Sequence, residues 1–150
     1  MYQIVKYPDP ILTTPTKSVL VWNEELRTEL YTMHKALREF HGVGLAANQV
    51  GIDKQMAVID VEGQVYYLVN PVIVKQGGIR ETWMEGCLSL PGERHPVTRS
   101  KKVLIKYFDE FGEDHTLQAT GLLARVIQHE MDHLNGRLIN GHGHTKTAGS

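Results

Sequence analysis

Only one cysteine, Cys87, occurs in this chain of 150 residues. No internal disulfide can form, and a reducing compartment is the expected setting. Long apolar runs are missing too: nothing approaches the ~20 residues that a membrane-spanning helix needs. The opening stretch MYQIVKYPDPILTTPTK has prolines and charges where a secretory leader would carry an unbroken apolar core. Neither sign of charge dominates. With Lys+Arg 16 against Asp+Glu 17, the chain has no broad attraction to nucleic acid or anionic lipid, and it carries no polybasic tail or nucleic-acid motif. Repeats and low-complexity linkers are absent as well. The expectation is a single cytoplasmic domain over residues 1–150, monomeric and large enough to bury a core without cross-links, with a flexible Gly/Thr/Ser-rich tail over about 141–150.

The segment NEELRTELYTMHKALREF opens with Asn23 as an N-cap and acidic residues in its first turn. Leu26, Leu30, Met33, Leu37 and Phe40 recur at helical spacing, which predicts an amphipathic helix packed on a sheet, with Met33 and Phe40 in the core. The segments QMAVIDV, YYLVNPVIV, CLSL, KKVLIKYFD and DHTLQAT are rich in β-branched or aromatic residues and bounded by turn formers, so they predict strands. DEFGED reads as the hairpin loop between the last two. A final helix begins near Gly121 or Leu122. Strands first and a helix last, without βαβ alternation, predict an α+β fold of mostly antiparallel sheets packed around the C-terminal helix.

That helix contains RVIQHEMDHLNG. His129 and His133 are four residues apart, so both imidazoles can address one point, and Glu130 lies roughly 100° around the helix. In an H-E-x-x-H arrangement two imidazoles bind a divalent ion and the carboxylate accepts a proton from water held there. The competing reading is an amphipathic helix with its polar residues in solvent. Cys87, in WMEGCLSLPG, is either a small buried hydrophobe or the thiolate that completes a Cys/His/His set. A three-ligand set leaves a position open for water, the mark of a catalytic site. In GVGLAANQVG, Gly42 and Gly44 either let a ligand backbone approach or mark a loop, and Gln49 adds an amide donor.

Three segments in order, GVGLAANQ (42–49), EGCLS (85–89) and QHEMDH (128–133), resemble without a gap the three signature motifs of the peptide deformylase family. The similarity continues through LPGER, KVLIKYFDEFG and GLLARVIQHE and covers roughly residues 5–140. The resemblance implies removal of the formyl group from N-terminal formyl-methionine of nascent polypeptides by hydroxide formed on a metal. It assigns Cys87, His129 and His133 as ligands of one divalent ion, Glu130 as general acid/base, and Gln49 with the backbone N–H of Leu88 as donors to the developing oxyanion. It favours Fe²⁺ as the working ion; the same ligand set accepts Zn²⁺, Ni²⁺ or Co²⁺. Leu122 and Val126 share the helix face of His129 and either wall an apolar pocket for the methionine side chain or belong to the ordinary core. Val43 and Gly44, with Gly86 opposite, would bond the substrate backbone as an added strand. Glu85, Arg94, Arg99 and Asp132 are read as supporting hydrogen bonds. His34, His41, His95 and His115 are read as surface or capping residues, and His142 and His144 as part of the tail.

Two other classes share part of this pattern. Zinc peptidases of the H-E-x-x-H-x-x-G-x-x-H type would match Gly136 but need a histidine where this chain has Ile139, and they give Cys87 no role. A metal-holding domain without activity would need neither Glu130 nor Gln49. Within the resemblance, His95-Pro96 replaces residues that are usually apolar. The stretch after His133 is similar to short members of the family, phage-encoded ones included; longer bacterial members continue into a helix associated with ribosome contact, which leaves the ribosome an open partner.

Overall fold

The computed structural model describes residues 2–143. The part of the expected tail beyond residue 143, with His144, lies outside the described residues. Helix α1 spans Glu24–Glu39 and starts where the Asn23 side chain accepts the N–H of Leu26, as its cap chemistry requires. Its stripe of Leu26, Leu30, Met33, Ala36 and Leu37 is buried. Phe40 is a correction to the expected core: it is 40 % exposed. It caps the helix, and the chain turns away at His41, where φ is 55°.

Five strands follow in the order of the chain: β1 Gly44–Ala46, β2 Met56–Val61, β3 Gln64–Cys87, β4 Leu90–Phe108 and β5 Asp114–Thr120. They form a single antiparallel sheet in which each strand pairs with the next. The expected CLSL strand is instead a reversal: Cys87 ends β3, Leu88 and Ser89 make the turn, and Leu90 begins β4. Beyond the expected strands, β3 and β4 continue together as a long ribbon whose register shifts between Ile73 and Lys75 and between Gly77 and Arg80. Such bulges bend a strand without ending its pairing.

Helix α2, Gly121–Leu134, completes the α+β fold. The sheet is packed on both faces. Met56, Val58 and Val69 meet the stripe of α1 on one side; Ile59, Leu68, Val103 and Ile105 meet Ala124, Ile127 and Met131 of α2 on the other. The alternation of side chains along β2 assigns its odd and even residues to these two layers. After α2 the chain folds back, with Leu138 N–H donating to the carbonyl of His142. No helix of the described residues is long and apolar enough to cross a membrane.

Candidate active site

The turn after β3 carries Cys87 onto α2. Its Sγ lies 3.3 Å from His133 Nε2, which in turn lies 3.1 Å from His129 Nε2. These three donor atoms all fall within 4.8 Å of one another. A tetrahedral ion with bonds of the usual Zn–S and Zn–N lengths holds its donors roughly 3.4–3.6 Å apart. The observed spacing is within a few tenths of an ångström of that, and two ring nitrogens aimed at each other have only one proton to share between them. A donor set of one sulfur and two imidazoles, converging in this way, fits a divalent transition-metal ion.

The ring of His129 is held from behind. Its Nδ1 is 2.9 Å from Glu85 Oε1, which directs Nε2 at the cluster. Glu85 is buried and accepts two bonds from Arg99, at 2.8 and 2.9 Å, and another from Arg125. Arg99 also donates to Asp132 Oδ2 at 2.8 Å. Burial works against the charge on Glu85, but its bonds from His129 and Arg99 outweigh it and hold the carboxyl far below the usual carboxylate range. Burial likewise opposes a charged His129, yet the Cys87 sulfur and Glu85 push its pKa up to about 10. Burial and the neighbouring positive His129 hold His133 well below an ordinary imidazole. In this state His129 keeps the proton of the pair, and an ion must displace it to bind.

Glu130 is 4 % exposed, and its Oε1 has no partner among the described residues. Burial pushes its pKa up to about 7, against the pull of His129 and Arg99. A carboxyl group poised there can both take and return a proton near neutral pH. The Gln49 amide is fixed by the protein: Oε1 accepts the Ala46 N–H at 3.0 Å, while Nε2 donates to Ser89 Oγ at 3.2 Å and lies 3.7 Å from Cys87 Sγ. Its neighbour Asn48 donates to the carbonyl of His133 at 2.6 Å, tying this short 3₁₀ turn to α2.

All these groups border or underlie a cavity of about 640 Å³. Val43, Gly44, Gln49, Gly86, Cys87, Leu88, Leu122, Val126, His129 and Glu130 line it, so the predicted residues come together, with His133 buried just behind. Leu122 stands at the rim, 40 % exposed, whereas Val126 is buried and belongs to both wall and core. At Gly44 the protein's own packing already requires a residue without a side chain. A Cβ there would meet Glu130 Oε2 at 2.5 Å and Val126 Cγ1 at 2.9 Å, so the protein itself fills that space. At Gly86 a Cβ would meet nothing closer than 3.9 Å.

The sequence reasoning passed over Arg125, Trp83 and Ser89. Arg125 is buried, donates to Glu85 and to the carbonyls of Glu81 and Val97, and has its guanidinium 4.5 Å from the centre of the Trp83 ring. The signal was available: an arginine four residues before His129 lies on the inward face of the helix. His34, read as a surface residue, is half-buried between Asp60 and Tyr67 at 2.9 and 3.1 Å. Arg94 supports the ribbon through the carbonyl of Met84.

With this geometry, the chain matches the family model described as polypeptide deformylase over residues 1–147. It is 41 % identical over 139 residues to the peptide deformylase of Carboxydothermus hydrogenoformans, covering 93 % of this chain and 91 % of that one. It is 42 % identical over 140 residues to peptide deformylase 1 of Bacillus subtilis, covering 91 % and 86 %. Among solved structures, peptide deformylase from Thermotoga maritima superposes with a TM-score of 0.91 at 39 % identity over 93 % of this chain and 95 % of the other. The actinonin complex of the enzyme from Synechococcus elongatus superposes with a TM-score of 0.90 at 45 % identity, over 92 % and 76 %. A buried carboxylate beside a metal-type cluster in a substrate-sized cavity defines a hydrolase class of site. The chain belongs to the peptide deformylase family, metal-dependent enzymes that remove N-formyl groups from nascent polypeptides.

Proposed function

We propose that this chain deformylates N-formylmethionyl peptides with Cys87, His129 and His133 holding one divalent ion, Fe²⁺ in the cell. The observation that carries this reading is the convergence of Sγ and two Nε2 atoms beside Glu130, whose Oε1 is buried and unpartnered. An ion held there supplies Lewis acidity, which brings the pKa of a water from 15.7 toward ~7 and polarises the formyl group. Glu130 takes the proton of the attacking water and returns it to the departing amine, a transfer its pKa near 7 suits in both directions. Gln49 Nε2 and the Leu88 N–H meet the charge that develops on the formyl oxygen, each such donor being worth about 3–4 kcal/mol in the transition state. Ala46 and Ser89 already hold the Gln49 amide plane, and the second Nε2 proton, 3.7 Å from Cys87 Sγ, is the one that would turn to the oxyanion.

The substrate backbone would align along β1, the edge strand of the sheet. The carbonyl of Val43 is taken by Asp60 N–H at 2.9 Å, so by alternation the polar groups of Gly44 point out from the edge. Gly44 and Gly86 then present backbone to the peptide, while Leu122 and Val126 border the methionine side chain. Backbone contacts tolerate varied sequences, which suits action on many nascent chains in the cytoplasm.

Protein prepared anaerobically with Fe²⁺ is expected to release formate from formyl-Met-Ala-Ser. A chelator is expected to abolish release, and added Fe²⁺, Co²⁺ or Ni²⁺ to restore it, while casein stays uncut. Formate release that persists in protein shown by metal analysis to hold no ion would overturn the reading.

A further inference from the structure

The face of the sheet that carries α1 is covered only at its β1–β3 end. Apart from Phe108, whose ring meets Trp22, no residue of β4 or β5 joins the cluster under α1. On the bare end, register fixes which side chains share the surface. Lys106 stands opposite Val72 on β3 and Thr116 on β5. Lys75 stands opposite Leu104, and Lys102 lies between Gly77 and Thr120. The stem of Lys102 crosses the ribbon where Gly78 leaves room: a Cβ on that glycine would lie 3.4 Å from Lys102 Cγ. Lys102 and Lys106, four residues apart on β4, are ~13 Å from each other along the strand, and Lys75 of β3 faces Leu104 between them, so the three lysines share this face over two strands.

All three lysines are exposed, and none is among the residues paired with a carboxylate within 4.0 Å among the described residues. By contrast Lys101, which points to the opposite side of its strand, has Glu81 at 3.9 Å. Arg80, opposite Ser100, extends the group, donating to the Thr98 carbonyl at 3.3 Å and no carboxylate. One carboxylate shares this surface: Asp114, opposite Phe108, lines a cavity of about 240 Å³ together with Val72, Lys106 and Thr116, and it forms no ion pair with Lys106 within 4.0 Å. A chain of net charge −1 thus concentrates unpaired cations on one surface, with the hydroxyls of Thr116 and Thr120 beside them on β5.

We propose that this bare half-face binds the phosphodiester backbone of RNA. Lysines without internal partners are free to release counterions from phosphates, and threonine hydroxyls beside them can bond phosphate and sugar oxygens. Contacts to phosphate and sugar oxygens read no base edge, so binding is independent of sequence. Because the molecule as a whole is nearly neutral, attraction acts only at close range and falls steeply with salt. The face is separate from the cavity and makes no demand on the chemistry there.

The test is fluorescence anisotropy of a labelled RNA hairpin with the intact chain. About three phosphate contacts predict a slope of log K against log[salt] between about −2 and −3. The triple variant Lys75→Glu, Lys102→Glu, Lys106→Glu should bind at least about tenfold more weakly while releasing formate from formyl-Met-Ala-Ser at the unaltered rate. Should the triple variant fail to fold, the single variants Lys75→Gln and Lys106→Gln should each reduce the slope by about 0.7–0.9. Binding unaffected by these changes, or no anisotropy change with the unaltered chain at about 50 mM salt, overturns the proposal. Equal or tighter binding of a labelled polyglutamate peptide, lost in the same variants, assigns the face to an acidic polypeptide and overturns it too.

Discussion

At Gly44 a single added carbon would sit 2.5 Å from Glu130 Oε2 and 2.9 Å from Val126 Cγ1. Neither neighbour can retreat easily, since both lie in the buried part of α2. The cheaper adjustment is rotation of the Glu130 carboxylate, which removes the proton carrier from its working position. Displacements of that order cost about 10²-fold in rate. Gly44→Ala should therefore lower kcat about 10²-fold in a formate-release assay and leave metal content unaltered. Glu130→Gln preserves size and removes the proton carrier, so a loss of about 10²–10⁴ is expected. If Gly44→Ala acts through Glu130, the double variant will be no slower than Glu130→Gln alone; full additivity of the two losses would show that Gly44 matters for some other reason.

The β4–β5 hairpin closes on Asp109, whose Oδ1 accepts the N–H groups of Phe111 and Glu113 at 2.8 and 3.0 Å and whose Oδ2 meets His115 at 2.7 Å. Burial resists the charge of Asp109, but these bonds, led by that of His115, outweigh it and keep the carboxyl below its ordinary value. A depressed carboxyl adds stability above its unfolded pKa of about 3.9, and loses it as pH falls through the lower folded value. Asp109→Asn keeps an acceptor for the turn but not the charge. Urea midpoints should show the variant less stable at pH 6, with the gap to the unaltered chain closing below about pH 4. This hairpin was legible as DEFGED between two apolar runs, and α1 from Asn23 and its stripe, because those signals are local. Strand β1 was not: GLA has no β-branched residue, and only its pairing with β2 makes it a strand. The ribbon was hidden for a similar reason, since KQGGIRETWMEG mixes glycine with polar residues and its bulges break the period of two. The cavity residues were legible because their types are set by chemistry; the spacing of Arg125 from His129 marks it as inward-facing, but its partners Glu81, Glu85 and Val97 come from β3 and β4, so what it holds was not legible.

Across the whole molecule, the site is also the joint. Cys87 closes β3, His129 and His133 belong to α2, and Glu85 links β3 to Arg99 of β4 and to Arg125 and His129 of α2. Removing one partner from a buried ionic cluster leaves the others desolvated and unpaired, which costs about 3–5 kcal/mol. For Glu85→Ala that corresponds to a fall in Tm of roughly 6–20 °C. A stability loss alone would not separate the joint from the metal site, so the conservative change is the informative one. Glu85→Gln keeps shape and an acceptor, yet its neutral amide supports the His129 ring more weakly, and loss of such a partner typically weakens metal affinity about 10–100-fold. Chelator competition is expected to register that weakening in a variant that stays folded. The acid limb should move with it: the charge of Glu85 contributes stability above the ordinary glutamate pKa of about 4.3 and loses it as pH falls through the far lower folded value. Acid unfolding followed by circular dichroism should then show the unaltered chain losing its advantage over Glu85→Gln only below about pH 4. An advantage that persisted unchanged to the lowest pH would mean that Glu85 joins the strands to the helix by shape and not by charge.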